Sequence, residues 1–294
     1  MSTVLVLIAD RAKGPIDLAL LREVQAVTRG TVDWLDEGYA VDVSLPAAVD
    51  PARTRRLDAL LEGKPIDRAI LLAAGRRKRL LLSDMDSTMI TIECIDELAD
   101  LIGIKAEIAA VTAKAMNGEL EFAHALTQRV ALLAGLEVSV IQEVIEARVR
   151  PMPGAGTLVA TMRANGATTA LVSGGFTAFT GHVRAALGFD VDEANVLEVR
   201  DGRLTGKLVP PIRDAQSKLA ALHRLAAERG IALIDTLAVG DGANDLPMIK
   251  AAGLGVGFRP HPRVRAEAPV TIAHGDLTSL LFLQGYRRAE LVEG

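Results

Sequence analysis

Apolar positions in the first 75 residues recur with the two periods that distinguish strands from helices. Residues 31–35 and 40–45 alternate apolar and polar positions on either side of Asp36-Glu37-Gly38, which favours a hairpin. Further strands are predicted at residues 3–9 and 66–73, and helices at residues 16–28 and 52–61. The order βαββαβ predicts a small ferredoxin-like α+β domain over residues 1–75.

The pattern changes after residue 79. Residues 80–83 form a short segment that begins with three leucines, as expected for a strand covered on both faces of a parallel sheet. Four helical stretches follow with no strand between them, at residues 93–102, 105–116, 120–134 and 139–148. We therefore expect a helical cap, at about residues 91–150, to be inserted after the first strand of the core.

Strands alternate with helices in the remainder of the chain. Strands are predicted at residues 168–172, 196–200, 203–209, 233–239, 255–258 and 270–272, and helices at residues 156–165, 177–187, 214–229, 246–251 and 277–283. The Asp201-Gly202 pair between two of these strands indicates a hairpin. This alternation predicts an α/β fold in which residues 76–294 form a doubly wound parallel-sheet core that carries the cap.

Composition narrows the class of protein. Half of the 294 residues are apolar and the formal net charge is −4, with no long basic run, so nucleic-acid binding is not expected. Cys94 is the only cysteine, which excludes an internal disulfide. No apolar stretch approaches the ~20 residues that span a bilayer, and the apolar start of the chain lacks a signal peptide's basic residues. These features predict a cytoplasmic protein without membrane association.

Three predicted core strands end in polar residues. The residues that follow these strand ends are Asp84 and Asp86, then Ser173 and Gly174, then Asp241, Asn244 and Asp245. Lys218 lies in the helix that precedes the third of these strands. Because ligands of such sheets bind beyond the carboxyl ends of the strands, we expect these side chains to share one site.

Four carboxylates at one sheet edge repel one another unless a cation lies among them. Mg²⁺ suits such a site, because it takes a few oxygen ligands together with water and a substrate phosphate. Asp84 and Asp241 are the expected side-chain ligands, and the backbone carbonyl of Asp86 is a candidate third ligand. Asp245 is expected either to bind the ion or to hold its ligands in place.

This set of residues can hydrolyse a phosphate monoester. Asp84 can attack phosphorus and form an aspartyl phosphate, which divides one difficult step into two easier ones. Asp86 can protonate the leaving oxygen and then deprotonate the attacking water. The Ser173 hydroxyl and the Gly174 amide can donate hydrogen bonds to phosphate oxygens, and Lys218 can offset negative charge.

On these residues the chain resembles the haloacid-dehalogenase-like phosphatases. The segments that carry the resemblance are Asp84-Met85-Asp86-Ser87-Thr88, Ser173-Gly174-Gly175, Lys218 and Asp241-Gly242-Ala243-Asn244-Asp245, in the order that the family has them. The resemblance extends over roughly residues 79–290. It implies Mg²⁺-dependent chemistry through an aspartyl phosphate, in agreement with the roles inferred from the residues.

Within that family the chain resembles the phosphoserine phosphatases. The resemblance implies that Glu93 faces the substrate ammonium, that Arg129 binds the substrate carboxylate, and that Asn244 helps to hold the substrate. Met116 and Phe122 of the cap would shield the pocket from water. The implied reaction is the hydrolysis of O-phospho-L-serine, a small phosphorylated amino acid, as the last step of L-serine biosynthesis.

Other functions fit parts of the same pattern. One alternative is a related Mg²⁺-dependent phosphatase of another small metabolite, or a phosphotransferase that uses an acceptor such as homoserine. The N-terminal domain loosely resembles ACT-like regulatory domains, which makes an amino-acid-sensing protein a further alternative. That domain is also a candidate surface for homodimer formation.

Overall fold

The structure is a computed structural model that describes residues 2–46, 50–116 and 120–294, with all side chains of these ranges except those of 113–116. Its first four strands form an antiparallel sheet in the order β2-β3-β1-β4. The elements are β1 (Thr3–Ala9), α1 (Leu18–Thr28), β2 (Thr31–Asp36), β3 (Ala40–Leu45), α2 (Pro51–Leu61) and β4 (Ile66–Leu72).

A second sheet has seven strands in the order β11-β10-β9-β5-β6-β7-β8, and its edge strand β8 runs antiparallel to β7. The strands are β5 (Leu80–Ser83), β6 (Thr168–Phe176), β7 (Val191–Arg200), β8 (Arg203–Val209), β9 (Thr236–Gly240), β10 (Leu254–Phe258) and β11 (Val270–Ile272). Strand β5 is central, with Leu81 buried on one face and Leu80 and Leu82 on the other. This two-sided burial explains why its first three residues are all leucine.

Helices cover both faces of this sheet and form the insertion after β5. They are α3 (Cys94–Leu101), α4 (Lys105–Met116), α5 (Phe122–Ala131), α6 (Ser139–Arg148), α7 (Ala155–Ala164), α8 (Thr177–Leu187), α9 (Ala215–Glu228), α10 (Leu246–Ala251), α11 (Pro262–Glu267) and α12 (Ser279–Leu283). We call α3–α6 the cap. Among the described residues, every helix falls short of the length and apolar character that a transmembrane span requires.

Strand β1 is buried on both of its faces. Leu5 and Leu7 pack in a cluster with residues of α1 and α2. Val4 and Val6 point the other way and join the large core that continues into the second sheet and the cap. The N-terminal sheet is therefore sandwiched between its own helices and the rest of the chain, which explains the continuous apolar run at its start.

Buried charged groups fasten the N-terminal sheet to the rest of the chain. Asp67 of β4 is 5% exposed, and its carboxylate accepts hydrogen bonds from three successive amides at residues 273–275, at 2.7–3.2 Å. Arg76 pairs with Asp42 of β3 and donates to the carbonyls of residues 282 and 283 at the end of α12. These contacts satisfy groups that would be costly to leave unpaired inside the protein.

The structure confirms the expected α/β core with inserted helices and an N-terminal α+β unit. The predicted start of the strand at residues 233–239 was wrong: residues 233–235 form a 3-10 helical turn, and β9 begins at Thr236, whose hydroxyl donates to the Leu233 carbonyl. The apolar Ile234 that suggested a strand is 61% exposed. Strand β7 begins before the predicted segment because its polar residues Asp192 and Glu193 also pair across the sheet, and β6 extends beyond residue 172 to Phe176, which pairs with Asn195.

Candidate active site

Asp84 lies at the carboxyl end of β5, in main chain that is fixed by hydrogen bonds. Its amide donates to the Val239 carbonyl of β9 at 3.0 Å, and its Oδ1 accepts from the Met85 amide at 2.7 Å. The three amides of residues 88–90 then donate to the Met85 carbonyl, while Ser87 adopts a φ of 54°. This tight turn holds the Asp84 carboxylate at the edge of the sheet.

Lys218 reaches Asp84 from the first turn of α9. The start of that helix is capped by Asp214, which accepts a hydrogen bond from the Ser217 amide at 2.9 Å. Lys218 is 1% exposed, and its Nζ lies 2.8 Å from Asp84 Oδ1 and 2.7 Å from Asp245 Oδ1. Burial alone would lower the pKa of Lys218, but the two carboxylates outweigh it and raise the pKa, so the ammonium stays charged.

Asp241 and Asp245 enter the site from the loop after β9. Asp245 Oδ2 accepts a hydrogen bond from the Gly242 amide at 3.0 Å. The Asp245 side chain also packs on Gly240, where a Cβ would lie 2.3 Å from the carboxyl carbon, so only glycine fits. Thr88 donates to Asp241 Oδ1 at 3.0 Å and thereby joins this loop to the loop after β5.

The three carboxylates fit a divalent metal ion. Asp84, Asp241 and Asp245 are buried, and each offers one oxygen within 4.8 Å of the others. When all three are ionised, the single positive charge of Lys218 leaves two negative charges to be balanced. Burial, and then repulsion by Asp84, raise the pKa of Asp241 to about 8 and that of Asp245 to about 7. Crowded, desolvated oxygens of this kind are what a hard divalent cation binds.

Asp86 has a different environment. Its carboxylate is not part of the cluster formed by Asp84, Asp241 and Asp245. The metal ligand predicted at Asp86 was its backbone carbonyl and not this carboxylate. Its Oδ1 is buried without a hydrogen-bond partner among the described residues. Burial, followed by the negative charge of Glu93, raises the pKa of Asp86 well above its ordinary value. This carboxyl group therefore favours the protonated form.

Ser173 and Gly174 face these carboxylates from the end of β6. Ser173 is 2% exposed, and its Oγ accepts a hydrogen bond from the Gly175 amide at 2.9 Å. Phe122, the first residue of α5, lies over Gly174, where a Cβ would come within 3.0 Å of the ring and 3.9 Å of Asn244 Nδ2. The cap thus contacts the core at the place where glycine leaves room for it.

Glu93 and Arg129 lie on the cap side of the site. Glu93 precedes α3, and its Oε1 accepts a hydrogen bond from the Ser87 hydroxyl at 2.6 Å. Local desolvation of the Glu93 carboxylate raises its pKa, although the residue as a whole is exposed. Burial lowers the pKa of Arg129, while the negative charges of Asp96 and Glu93 oppose that shift. The Arg129 Nε donates to the Ala125 carbonyl of its own helix at 3.4 Å.

The structure thus brings the predicted core residues to one edge of the sheet, with Phe122, Glu93 and Arg129 on the adjoining side. The side chain of Met116, predicted to shield the pocket, lies outside the described residues. Sequence reasoning missed His261, whose amide donates to the Asp241 carbonyl at 3.1 Å and whose Nε2 lies 3.6 Å from Asp241 Oδ2. Its position just after β10 is the signal that would have revealed it.

Comparison with known proteins agrees with this geometry. Residues 81–250 match the family model of haloacid dehalogenase-like hydrolases. A phosphoserine phosphatase of Streptomyces coelicolor is 46% identical over 224 residues, which are 75% of this chain and 54% of that protein. One from a Polaromonas species is 47% identical over 210 residues, which are 70% of this chain and 89% of that protein.

A solved structure is similar over nearly the whole chain. The crystal structure of a probable phosphoserine phosphatase from Vibrio cholerae, in unliganded form, superposes with a TM-score of 0.79 at 32% identity. The match covers 98% of this chain and 88% of that one, and so includes the N-terminal sheet. The chain spans about half the length of the Streptomyces relative.

Neutralising one carboxylate should stabilise the metal-free protein. We expect Asp241→Asn to raise the melting temperature in a chelator, by about 2–4 °C for each 1 kcal/mol of repulsion removed, because the amide still accepts from Thr88. Added Mg²⁺ should then stabilise the wild type more than the variant. Thermal unfolding with and without Mg²⁺ measures both effects, with Asp201→Asn in the exposed turn between β7 and β8 as the control. A variant that is destabilised in chelator and still gains fully from Mg²⁺ would contradict a metal site here.

Proposed function

Because the chain belongs to the haloacid dehalogenase-like hydrolase family, we propose that it hydrolyses O-phospho-L-serine to L-serine and phosphate, the last step of L-serine biosynthesis. The observation that carries the proposal is the contact of buried Lys218 with Asp84, beside Asp241 and Asp245. Such a group suits covalent transfer of a phosphoryl group. The phosphoserine phosphatases to which the chain is similar supply the proposed substrate.

Asp84 is the proposed nucleophile. Lys218 and the Met85 amide both engage its Oδ1, which leaves Oδ2 to attack phosphorus. A bond then forms between Oδ2 and phosphorus, and the bond between phosphorus and the serine oxygen breaks. Because the carboxylate is already held in place, little freedom is lost when the substrate binds.

Asp86 is the proposed acid and base. Its raised pKa and its unpartnered Oδ1 support a carboxyl group that carries a proton before the attack. Asp86 gives this proton to the departing serine oxygen and then accepts a proton from water. As that water attacks phosphorus, the bond from Asp84 to phosphorus breaks and phosphate is released.

The phosphate would be held by groups from two strand ends. The Ser173 hydroxyl and the Gly174 amide donate hydrogen bonds to its oxygens, and Lys218 offsets part of the negative charge. Preorganised donors of this kind act strongly because the site is largely closed to water.

Mg²⁺ is the proposed metal ion. Asp84 and Asp241 would hold it, with the backbone carbonyl of Asp86 as a third ligand, while Asp245 keeps Lys218 and the Gly242 loop in position. When bound, the ion would offset the charge of the phosphoryl group.

Cap residues are proposed to recognise the amino-acid part of the substrate. Glu93 faces the ammonium and Arg129 the carboxylate, since a zwitterion needs one group of each sign. Asn244 lies beside Gly174 and helps to hold the substrate, and Phe122 covers the reacting groups. A cap that closes in this way would exclude water from the phosphoryl group.

A substrate panel tests the proposal directly. We expect phosphoserine to have the highest kcat/KM among phosphoserine, phosphothreonine, phosphoglycolate and sugar phosphates, and a chelator to abolish turnover. Phosphate release is measured with and without homoserine, so that transfer to an alcohol is also detected. A much better substrate than phosphoserine would refute the assigned specificity, and full activity in chelator would refute the metal.

Removal of the nucleophile should eliminate turnover without unfolding the protein. We expect Asp84→Asn to lower kcat by about a thousandfold or more, because an amide does not attack phosphorus. Circular dichroism and thermal unfolding check that the variant is folded. Asp201→Asn, in the exposed hairpin turn between β7 and β8, is the matched control and should keep full activity. Substantial turnover by folded Asp84→Asn would assign the attack to another group.

Arg129 should matter for substrates that carry a carboxylate. We expect Arg129→Ala to raise KM for phosphoserine about tenfold to a hundredfold, the loss of a charge-assisted hydrogen bond, with little change for an aryl phosphate. Arg150→Ala is the control, since that arginine lies two residues after α6, is exposed and, among the described residues, donates to nearby backbone carbonyls. Equal losses for the two substrates would argue against recognition of the carboxylate by Arg129.

A further inference from the structure

The pairing of β6 with β7 is interrupted where the phosphate-binding residues leave the sheet. Val172 pairs with Glu193, but the next recorded pair joins Phe176 to Asn195, so residues 173–175 of β6 face a single residue of β7. Such a bulge deprives main-chain groups of their ladder partners. Buried main-chain groups in this position need other partners.

Asn195 provides one of these partners with its side chain. The residue is 1% exposed, and its Nδ2 donates to the Gly174 carbonyl at 2.8 Å and to the Arg213 carbonyl at 3.2 Å. Its Oδ1 accepts from the Arg213 amide at 2.6 Å. The side-chain amide is thus held against main chain on both sides by three hydrogen bonds.

The bond to Gly174 has a consequence for Ser173. The Gly174 carbonyl and the Gly175 N–H belong to the same planar peptide group, so fixing the one orients the other. That N–H donates to Ser173 Oγ at 2.9 Å. A hydroxyl has one proton and two lone pairs, and with one lone pair occupied by an amide, its proton is left for another acceptor.

From these contacts we propose that Asn195 is a positioning residue for the reaction. It holds the Gly174–Gly175 peptide so that the Ser173 hydroxyl donates its proton to a phosphate oxygen. The inference rests on the proposed function, in which Ser173 contacts the phosphate. In this proposal Asn195 contacts neither the substrate nor the metal ligands. It acts on Ser173 through the Gly174–Gly175 peptide.

The hydrogen bonds of Asn195 to Arg213 connect it to the helix that carries Lys218, the other proposed phosphate contact. Arg213 precedes Asp214, the residue that caps α9, and Lys218 lies in the first turn of that helix. One buried side chain therefore joins the loop that carries Ser173 to the start of the helix that carries Lys218. Both donors keep a fixed separation, as preorganised binding of a phosphoryl group requires.

A purely structural role makes a different prediction from a positioning role. If Asn195 only satisfied buried carbonyls, its replacement would lower stability and leave the folded enzyme's affinity for phosphate unchanged. If it positions Ser173, the affinity for phosphate falls in the folded fraction as well. Inhibition by inorganic phosphate separates the two, because that anion has no amino-acid part.

The test compares Asn195→Asp with the wild type. The carboxylate has the same shape and still accepts from the Arg213 amide, but it cannot donate to Gly174. We expect about a tenfold rise in the inhibition constant for inorganic phosphate and in KM for an aryl phosphate, the loss of one buried hydrogen bond. Asn165→Asp is the control, because its Nδ2 also donates to a backbone carbonyl, that of Thr161, but far from the site. Unchanged constants in folded Asn195→Asp would overturn the proposal.

A double-variant cycle shows whether the effect passes through Ser173. If Asn195→Asp does not fold, the uncharged and shorter Asn195→Ser replaces it in every assay. In a Ser173→Ala background we expect the Asn195 change to alter the phosphate inhibition constant less than threefold, because the hydroxyl it orients is gone. Multiplication of the two single effects would overturn the proposal.

The aryl phosphate assay also separates this inference from the proposed substrate. A wild-type protein that turns over the aryl phosphate but not phosphoserine would refute phosphoserine hydrolysis and leave the role of Asn195 to be decided by the variants. A wild type that neither hydrolyses the aryl phosphate nor is inhibited by inorganic phosphate would overturn both.

Discussion

The buried ammonium of Lys218 is the interaction on which the site depends. It lies within 2.8 Å of Asp84 and Asp245, two carboxylates that come from different loops and would otherwise repel each other inside the protein. A buried carboxylate without a partner is costly, and one ammonium cannot balance three. When all three carboxylates are ionised, the sheet edge carries an excess of negative charge, which disfavours the metal-free fold and favours binding of a cation. Repulsion among these carboxylates lowers the stability of the metal-free protein, and a cost of this kind is common at functional sites.

The N-terminal sheet is held against the rest of the chain by a buried apolar face and by charged groups in the junction. Val4 and Val6 of β1 are buried against the rest of the chain, and Asp67 and Arg76 place charged groups in the junction. Separation of residues 1–75 would expose this apolar face and leave the amides at 273–275 without their acceptor. A small-molecule signal received by the N-terminal sheet would consequently act on a unit that is firmly docked, and not on a loosely tethered one.

The pattern of apolar residues was sufficient to predict most of the fold, because the apolar positions of an element reflect which of its faces are buried. Strand β5 is apolar since helices cover both of its faces, and the strand-end rule then located the loops at Asp84, Ser173 and Asp241. The pattern failed at residues 233–235, where an apolar pair belongs to a turn, and at the polar ends of β6 and β7. The start of β7 is determined by main-chain pairing with β6, and residues 233–235 and 173–175 by a turn and a bulge, none of which is evident from the order of apolar residues.

The partners that hold the site are harder to predict than the residues that form it. Thr88, His261 and Asn195 each contact a predicted residue or its main chain, yet the sequence pattern did not assign these contacts to them. A buried polar side chain is needed wherever the ladder or a loop leaves a donor or acceptor unpaired, and that need arises only from the folded arrangement. The bulge at residues 173–175 is an example, because three residues of β6 leave the ladder there. The Gly174 carbonyl then accepts a hydrogen bond from the Asn195 side chain of the neighbouring strand. The positions of the proposed site residues therefore depend on hydrogen bonds made by neighbouring side chains that are not themselves among the predicted residues.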